Sequence, residues 1–155
     1  MHVERRLEAL GLALPEVAKP KGSYRQHTRS GNLIFTAGHI PFDKEGNLIT
    51  GTVGADMTAE EAHEAARVVA LSLTATLKDA VGDLDNVKQI VKLTGFVNSE
   101  ASFTGQPGVI NGASDLLYEI FGERGVHSRS AVGTNVLPLN VAVEIEAIVE
   151  VVEDV

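Results

Sequence analysis

Apolar residues recur along this chain at two spacings, and the changes from one to the other divide it into elements. Val3, Leu7 and Leu10 stand at i, i+4 and i+7, which predicts a short amphipathic helix stopping at Gly11. Pro15, Pro20 and Gly22 then hold the chain extended. Over 24–28, Tyr24, Gln26 and Thr28 alternate with Arg25 and His27, as in a partly solvated strand. Ser30-Gly31-Asn32 is turn chemistry, and Leu33-Ile34-Phe35-Thr36-Ala37 is a buried strand ending at Gly38, so the two strands form a hairpin. Residues 39–54 read as loop, with a turn at Lys44-Glu45-Gly46-Asn47 and a candidate short edge strand at Leu48-Ile49-Thr50.

The clearest helix follows. Thr58-Ala59-Glu60-Glu61 has the form of a capping box, in which a hydroxyl and a carboxylate satisfy free backbone donors. Ala62, Ala66, Val69, Ala70, Leu73, Leu77 and Ala80 then recur at helical spacing up to Gly82. The alanines on that stripe permit close packing on a sheet. A brief helical turn at 84–87 leads into a β-branched strand over 87–97. Gly105-Gln106-Pro107 opens a second long helix, whose apolar end is Leu116, Leu117, Ile120 and Phe121 and whose stop is Gly122.

Two C-terminal strands complete the pattern. One runs through Ser128-Arg129-Ser130-Ala131-Val132-Gly133. The other sets Val141, Val143, Ile145, Ala147 and Val149 against Ala142, Glu144, Glu146, Ile148 and Glu150. The order β-β-(β)-α-β-α-β-β predicts a single α+β domain over residues 1–155, with two helices covering one face of a mixed sheet. Residues 1–21 form an N-terminal extension of short helix and linker. The uncovered sheet face then calls for an oligomer to close it.

Composition narrows what such a domain does. The 155 residues are 44% apolar and 22% charged, ordinary globular values, and no stretch has the length of a signal peptide or membrane span. Cysteine is absent, so disulfides and thiolate sites are excluded, and the expected location is the cytoplasm. A net charge of −8, no basic block, and only two Tyr and five Phe make nucleic acid an unfavoured partner. The five His show no zinc-hydrolase spacing, so no metal site is expected, and no nucleophile elbow, phosphate loop or dinucleotide fingerprint is present.

Arg129 and Glu144 remain. Arg129 lies among small and apolar residues, where a guanidinium is costly unless it meets an anion. Its planar fork suits a carboxylate ligand, and a structural ion pair with Glu144 or Glu146 suits it equally. If the two C-terminal strands are neighbours, cation and carboxylate face one small space. Tyr24 is either a pocket wall or an aromatic packed on the hairpin.

Several segments, taken in order, carry a resemblance: Gly38-His39-Ile40-Pro41, Val91-Lys92-Leu93-Thr94-Gly95-Phe96-Val97, Arg129-Ser130-Ala131-Val132, Leu137-Pro138 and Val143-Glu144-Ile145-Glu146-Ala147. Over 22–151 the chain resembles the Rid family of YjgF-type reactive intermediate deaminases, formerly called L-PSP endoribonucleases or translation inhibitors. The resemblance implies a chorismate-mutase-like α+β fold and a homotrimer with ligand pockets between subunits. It implies hydrolysis of 2-imino acids, released by pyridoxal-phosphate enzymes, to 2-keto acids and ammonia without metal or cofactor.

By position, Arg129 matches the arginine that binds the substrate carboxylate, and Glu144 the carboxylate that positions the attacking water. Tyr24 matches the pocket tyrosine, and Gly38 and Ala131 fall where backbone groups contact substrate. The chain departs from the pattern at Ala37 and Ala131, where many relatives have Ser and Cys, and at His39, where Gln is frequent. Residues 99–111 are longer than in the short deaminases. Neither Asn111 nor Asp115 is matched by position to the pocket residue of the second helix. The resemblance also leaves open a small-carboxylate-binding trimer without turnover, and the older endoribonuclease or translation-inhibitor reading.

Overall fold

In the computed structural model, which describes residues 2–155, the chain runs α1 (His2–Ala9), β1 (His27–Ser30), β2 (Leu33–Thr36), α2 (Ala59–Val81), β3 (Val87–Asn98), α3 (Gln106–Phe121), β4 (Ser128–Thr134) and β5 (Val143–Val151). The strands form one sheet of order β1-β2-β5-β3-β4, in which only β3 and β4 are parallel. Three helices, rather than the expected two, lie on one face. The third is α1, whose Val3 and Leu7 are buried in the common core. Its first turn is held by Asp85, which accepts from the His2 and Val3 backbone N–H groups at 2.7 and 3.0 Å. Glu4 in turn takes Lys78 and the Leu84 N–H, so contacts with the 84–85 turn anchor the helix.

The long helices form where the apolar period and the caps place them. Thr58 accepts from the Glu61 N–H and Glu61 from the Thr58 N–H, and Gly82 ends α2 with φ at 75°. Small residues then set the spacing of the helical layer. A Cβ on Gly112 would fall 2.0 Å from the His63 carbonyl oxygen of α2, and one on Gly95 would fall 2.6 Å from the Ile110 side chain. Those absences let α3 lie against both α2 and β3. No helix among the described residues is long and apolar enough to cross a membrane.

Two expectations about strands are corrected. The candidate strand at 48–50 makes only single bridges, Phe42 to Leu48 and Thr50 to Val141. The first hairpin strand begins at His27, so Tyr24 precedes the ladder, while Ser30 faces Leu33 across a two-residue turn with Gly31 at φ 60°.

The larger correction concerns the C-terminal pair. β4 and β5 are not neighbours, because β3 lies between them and β5 is paired on its other side with β2. Burial explains the order. Val143, Ile145, Ala147, Val149 and Val151 are all buried on the helix-covered face, which suits a central strand. No residue of β4 is fully buried, and that strand takes the edge. The connection passes through Leu139 and Asn140, both in left-handed backbone at φ 57° and 58°.

Candidate functional site

Register places Arg129 and Glu144 well apart. Arg129 pairs with Leu93, which pairs with Ala147, whereas Glu144 pairs with Phe96, which pairs with Val132. They therefore stand two strands apart and three residues apart along the strands, about 10 Å in each direction. They also occupy opposite faces. Leu93 and Ala147 are buried under the helices, and Arg129 shares their side, while Glu144 projects from the open face. The expected convergence within one chain does not occur, and neither does an ion pair between them.

Arg129 is satisfied by neutral groups instead. Its Nη1 donates to Asn111 Oδ1 at 2.7 Å and to Ser114 Oγ at 3.1 Å, both on α3. A guanidinium has five N–H donors, so these two bonds use both hydrogens of Nη1. Nε and Nη2 keep no partner among the described residues. They form the side-on edge that matches the two oxygens of a carboxylate. Ala131, two residues on, lies on the same face and packs at the margin of the core.

Asn111 and Ser114 lie one helical turn apart on α3, and the chain continues through Gly125 to His127, whose Nε2 sits 2.9 Å from Ser114 Oγ. Sequence singled out neither Ser114 nor His127, and left Asn111 unmatched to the pocket residue of the second helix. The available signal was their i, i+3 spacing on a helix followed by a strand carrying one arginine.

Glu144 belongs to a second cluster. A Cβ on Gly38 would lie 2.3 Å from Glu144 Oε2, so the carboxylate occupies space that only glycine leaves open. The segment after Gly38 is pinned to β5 by two bonds between His39 and Ile145, at 2.8 and 3.0 Å. The His39 ring is buried: Nδ1 lies 2.7 Å from the Ala37 carbonyl and Nε2 2.7 Å from Thr76 Oγ1. Burial lowers its pKa, which fits a neutral ring that donates from Nδ1 and accepts from Thr76.

Burial pushes the Glu144 pKa above its ordinary value, and neighbouring Glu146 pushes it further the same way. A carboxylate so placed is a stronger base than an exposed one. Upstream of Gly38, a hollow of about 470 Å3 is lined by Ser23, Tyr24, Arg25, Thr28, Phe35, Thr36 and Ala37. Tyr24 is 55% exposed at its rim, so it is a wall of this hollow rather than a packed strand aromatic. Phe35 pairs with Ile148 and shares the open face with Glu144.

Of the five residues singled out by sequence, Gly38 and Glu144 are in contact and Arg129 and Ala131 share the other face, while Tyr24 lines the hollow that ends at Ala37, next to Gly38 in the chain. Each pair presents groups suited to a ligand, and the two do not meet within one chain.

Comparison with known proteins agrees with this architecture. Residues 4–151 match the family model described as "YjgF/chorismate mutase-like, putative endoribonuclease". Protein TCP17 of Trypanosoma cruzi is 45% identical over 149 residues, covering 96% of this chain and 93% of that protein. A RutC family protein of Pyrococcus abyssi is 32% identical, covering 84% and 87%. A crystal structure from Shewanella oneidensis, titled as that of a putative endoribonuclease, superposes with a TM-score of 0.92 at 41% identity, covering 96% of this chain and 99% of that one. With a mixed five-stranded sheet under three helices and a match along nearly its whole length, this chain belongs to the YjgF/RutC family.

Proposed function

We propose that this protein hydrolyses small 2-imino acids to 2-keto acids and ammonia, in pockets formed between the subunits of a homotrimer. The observation that carries the reading is the unspent side-on edge of Arg129, held in place by Asn111 and Ser114 and paired with no carboxylate among the described residues. Arg129 is only partly buried on the edge strand, so its free edge stays accessible and offers a fixed, fully charged fork to an anionic ligand.

The chemistry then divides between the two clusters. Arg129 binds the substrate carboxylate, which fixes the C=N carbon relative to a water. Glu144, with its raised pKa, takes a proton from that water as oxygen adds to the imine carbon, and a carbinolamine forms. That proton passes to nitrogen to complete the carbinolamine; Glu144 then carries the hydroxyl proton to the amine, the C–N bond breaks, and ammonia leaves as the carbonyl of the keto acid forms. Tyr24 walls the pocket, and the backbone at Gly38 and Ala131 supplies polar contacts. A second copy of the chain is needed to bring a Glu144 cluster to an Arg129 cluster, and the uncovered sheet face is the surface on which copies would meet.

The word endoribonuclease in the names of relatives raises RNA cleavage as a second reading. The net charge of −8 weighs against it, since binding RNA requires neutralising phosphates.

The test is hydrolysis of iminopropionate generated in situ by an amino-acid oxidase, with pyruvate and ammonia measured. The wild type accelerates the reaction and Arg129→Ala does not, with the oligomer unchanged by sedimentation. Equal rates for the two proteins would remove the assignment. No acceleration by the wild type, with 2-oxobutanoate bound by calorimetry, would make it a carboxylate-binding module.

A further inference from the structure

The groups around Arg129 form a chain with one consistent set of donors and acceptors. The Gly125 carbonyl lies 2.7 Å from His127 Nδ1, and His127 Nε2 lies 2.9 Å from Ser114 Oγ. Ser114 Oγ accepts from Arg129 Nη1 at 3.1 Å. A carbonyl only accepts, so Nδ1 carries the proton. Nε2 of the neutral ring is then an acceptor, and the Ser114 hydroxyl donates to it. Its hydrogen thus directed away, Ser114 turns lone pairs toward the guanidinium.

The backbone is built to bring these groups together. A Cβ on Gly125 would fall 2.2 Å from the Leu117 carbonyl oxygen, so the turn at 122–125 lies directly on α3 only because this residue is glycine. That contact carries the Gly125 carbonyl and His127 to the level of Ser114. Burial holds the His127 pKa below its ordinary value; the hydrogen bond to Gly125 opposes burial less strongly, and the nearby Arg129 charge adds a smaller push downward. The ring is therefore neutral at neutral pH.

We infer that His127 is a positioning residue for ligand binding: through Ser114 it fixes the guanidinium of Arg129 so that Nη1 faces α3 and the Nε–Nη2 edge faces the ligand carboxylate. Asn111 holds the other hydrogen of Nη1, and the two neutral acceptors together orient the fork without neutralising its charge. A carboxylate at either position would have pinned the arginine equally well but would have competed with the ligand. The inference rests on the reading of Arg129 as the carboxylate binder, and extends it to the residues that set which edge binds.

Two measurements test it, one independent of turnover. Long-range 1H–15N correlation of the His127 ring at neutral pH should show the Nδ1–H tautomer, and the Nε2–H tautomer would overturn the inference. The second compares His127→Leu with His127→Gln, whose amide oxygen can still accept from Ser114. His127→Leu should raise KM, and the dissociation constant of 2-oxobutanoate, about tenfold, as expected for losing the order behind one charge-assisted hydrogen bond. Its kcat at saturation should stay within about twofold of wild type, and His127→Gln should recover most of the affinity. Unchanged 2-oxobutanoate affinity in a folded His127→Leu protein would also overturn it. If wild type binds 2-oxobutanoate but turns over no imine, the deaminase reading fails while the ring tautomer and the dissociation constants still decide the role of His127.

Discussion

The two clusters differ in how they hold a charge. At the sheet edge, Arg129 keeps its full charge and is oriented by neutral groups, Asn111 and Ser114, with His127 behind them. On the open face, the Glu144 carboxylate is half-buried against Gly38 and beside Glu146, and its pKa rises. One cluster preserves an ion and orients it, and the other makes an ion costly and thereby more basic. The first arrangement suits binding of an anion, and the second suits removal of a proton. Register places them on opposite faces of one sheet, so the proposed function requires two copies of the chain to bring the two tasks together.

The largest effects expected from breaking this contrast come from substituting the two charged residues themselves. Arg129→Lys keeps the charge but replaces the fork with a point charge. It should lower kcat/KM for iminopropionate by about a hundredfold or more, mostly through KM, as steady-state kinetics would show. Glu144→Gln attacks the other half. Its kcat should fall by about 10²- to 10⁴-fold with KM little changed, the range for loss of a general base. If both substitutions acted on KM alone, the assignment of separate tasks would be wrong.

Two glycines sharpen the comparison at smaller magnitude. Gly38→Ala would put a methyl group 2.3 Å from Glu144 Oε2, on the open face. Gly95→Ala would put one 2.6 Å from Ile110, under the helices. The first should lower kcat about tenfold by displacing the carboxylate, with little loss of stability. The second should leave a folded fraction that is still active but cost about 1–3 kcal/mol in urea unfolding, the usual penalty for overpacking a core. Reversal of the two outcomes would mean that the Gly38 contact is structural.

Much of this was readable from residue spacing. The capping box at Thr58, the stop at Gly82 and the alanine stripe between them announce α2 because each is a local property of the chain. The alternation through Val143, Ile145, Ala147 and Val149 likewise announces a strand with one buried face. Its place beside β2 and β3 was not readable, since strand order depends on which distant surfaces each face buries. The same limit hid the separation of Arg129 from Glu144: spacing assigns each to a face of its own strand, but not the offset between strands. Tyr24 looked like a strand residue because alternation does not say where pairing begins. Ser114 and His127 were not legible, and Asn111 stayed unmatched, because their connection runs through the turn at 122–125, where the close approach allowed by Gly125 leaves no periodic trace.

The smallest expected effect is thermodynamic and separates function from stability at Glu144. Its folded-state pKa lies above the ordinary carboxylate value, so the folded protein holds that proton more tightly than the unfolded chain. The sign follows directly. Glu144 contributes to stability while protonated, at pH below its unfolded value. That contribution is lost as pH rises through the folded value, and at neutral pH the charged group is a net cost. Glu144→Gln should therefore stabilise the protein at neutral pH while removing its activity. Because the side chain is only half-buried, solvent screening limits the gain to a few tenths of a kcal/mol, about 1 kcal/mol at most. Urea unfolding of wild type and variant should show this difference at neutral pH and its disappearance at pH below the ordinary carboxylate range. A variant less stable than wild type at neutral pH would show that the Glu144 carboxylate is held for the fold, and would move the search for the base to other residues of the open face.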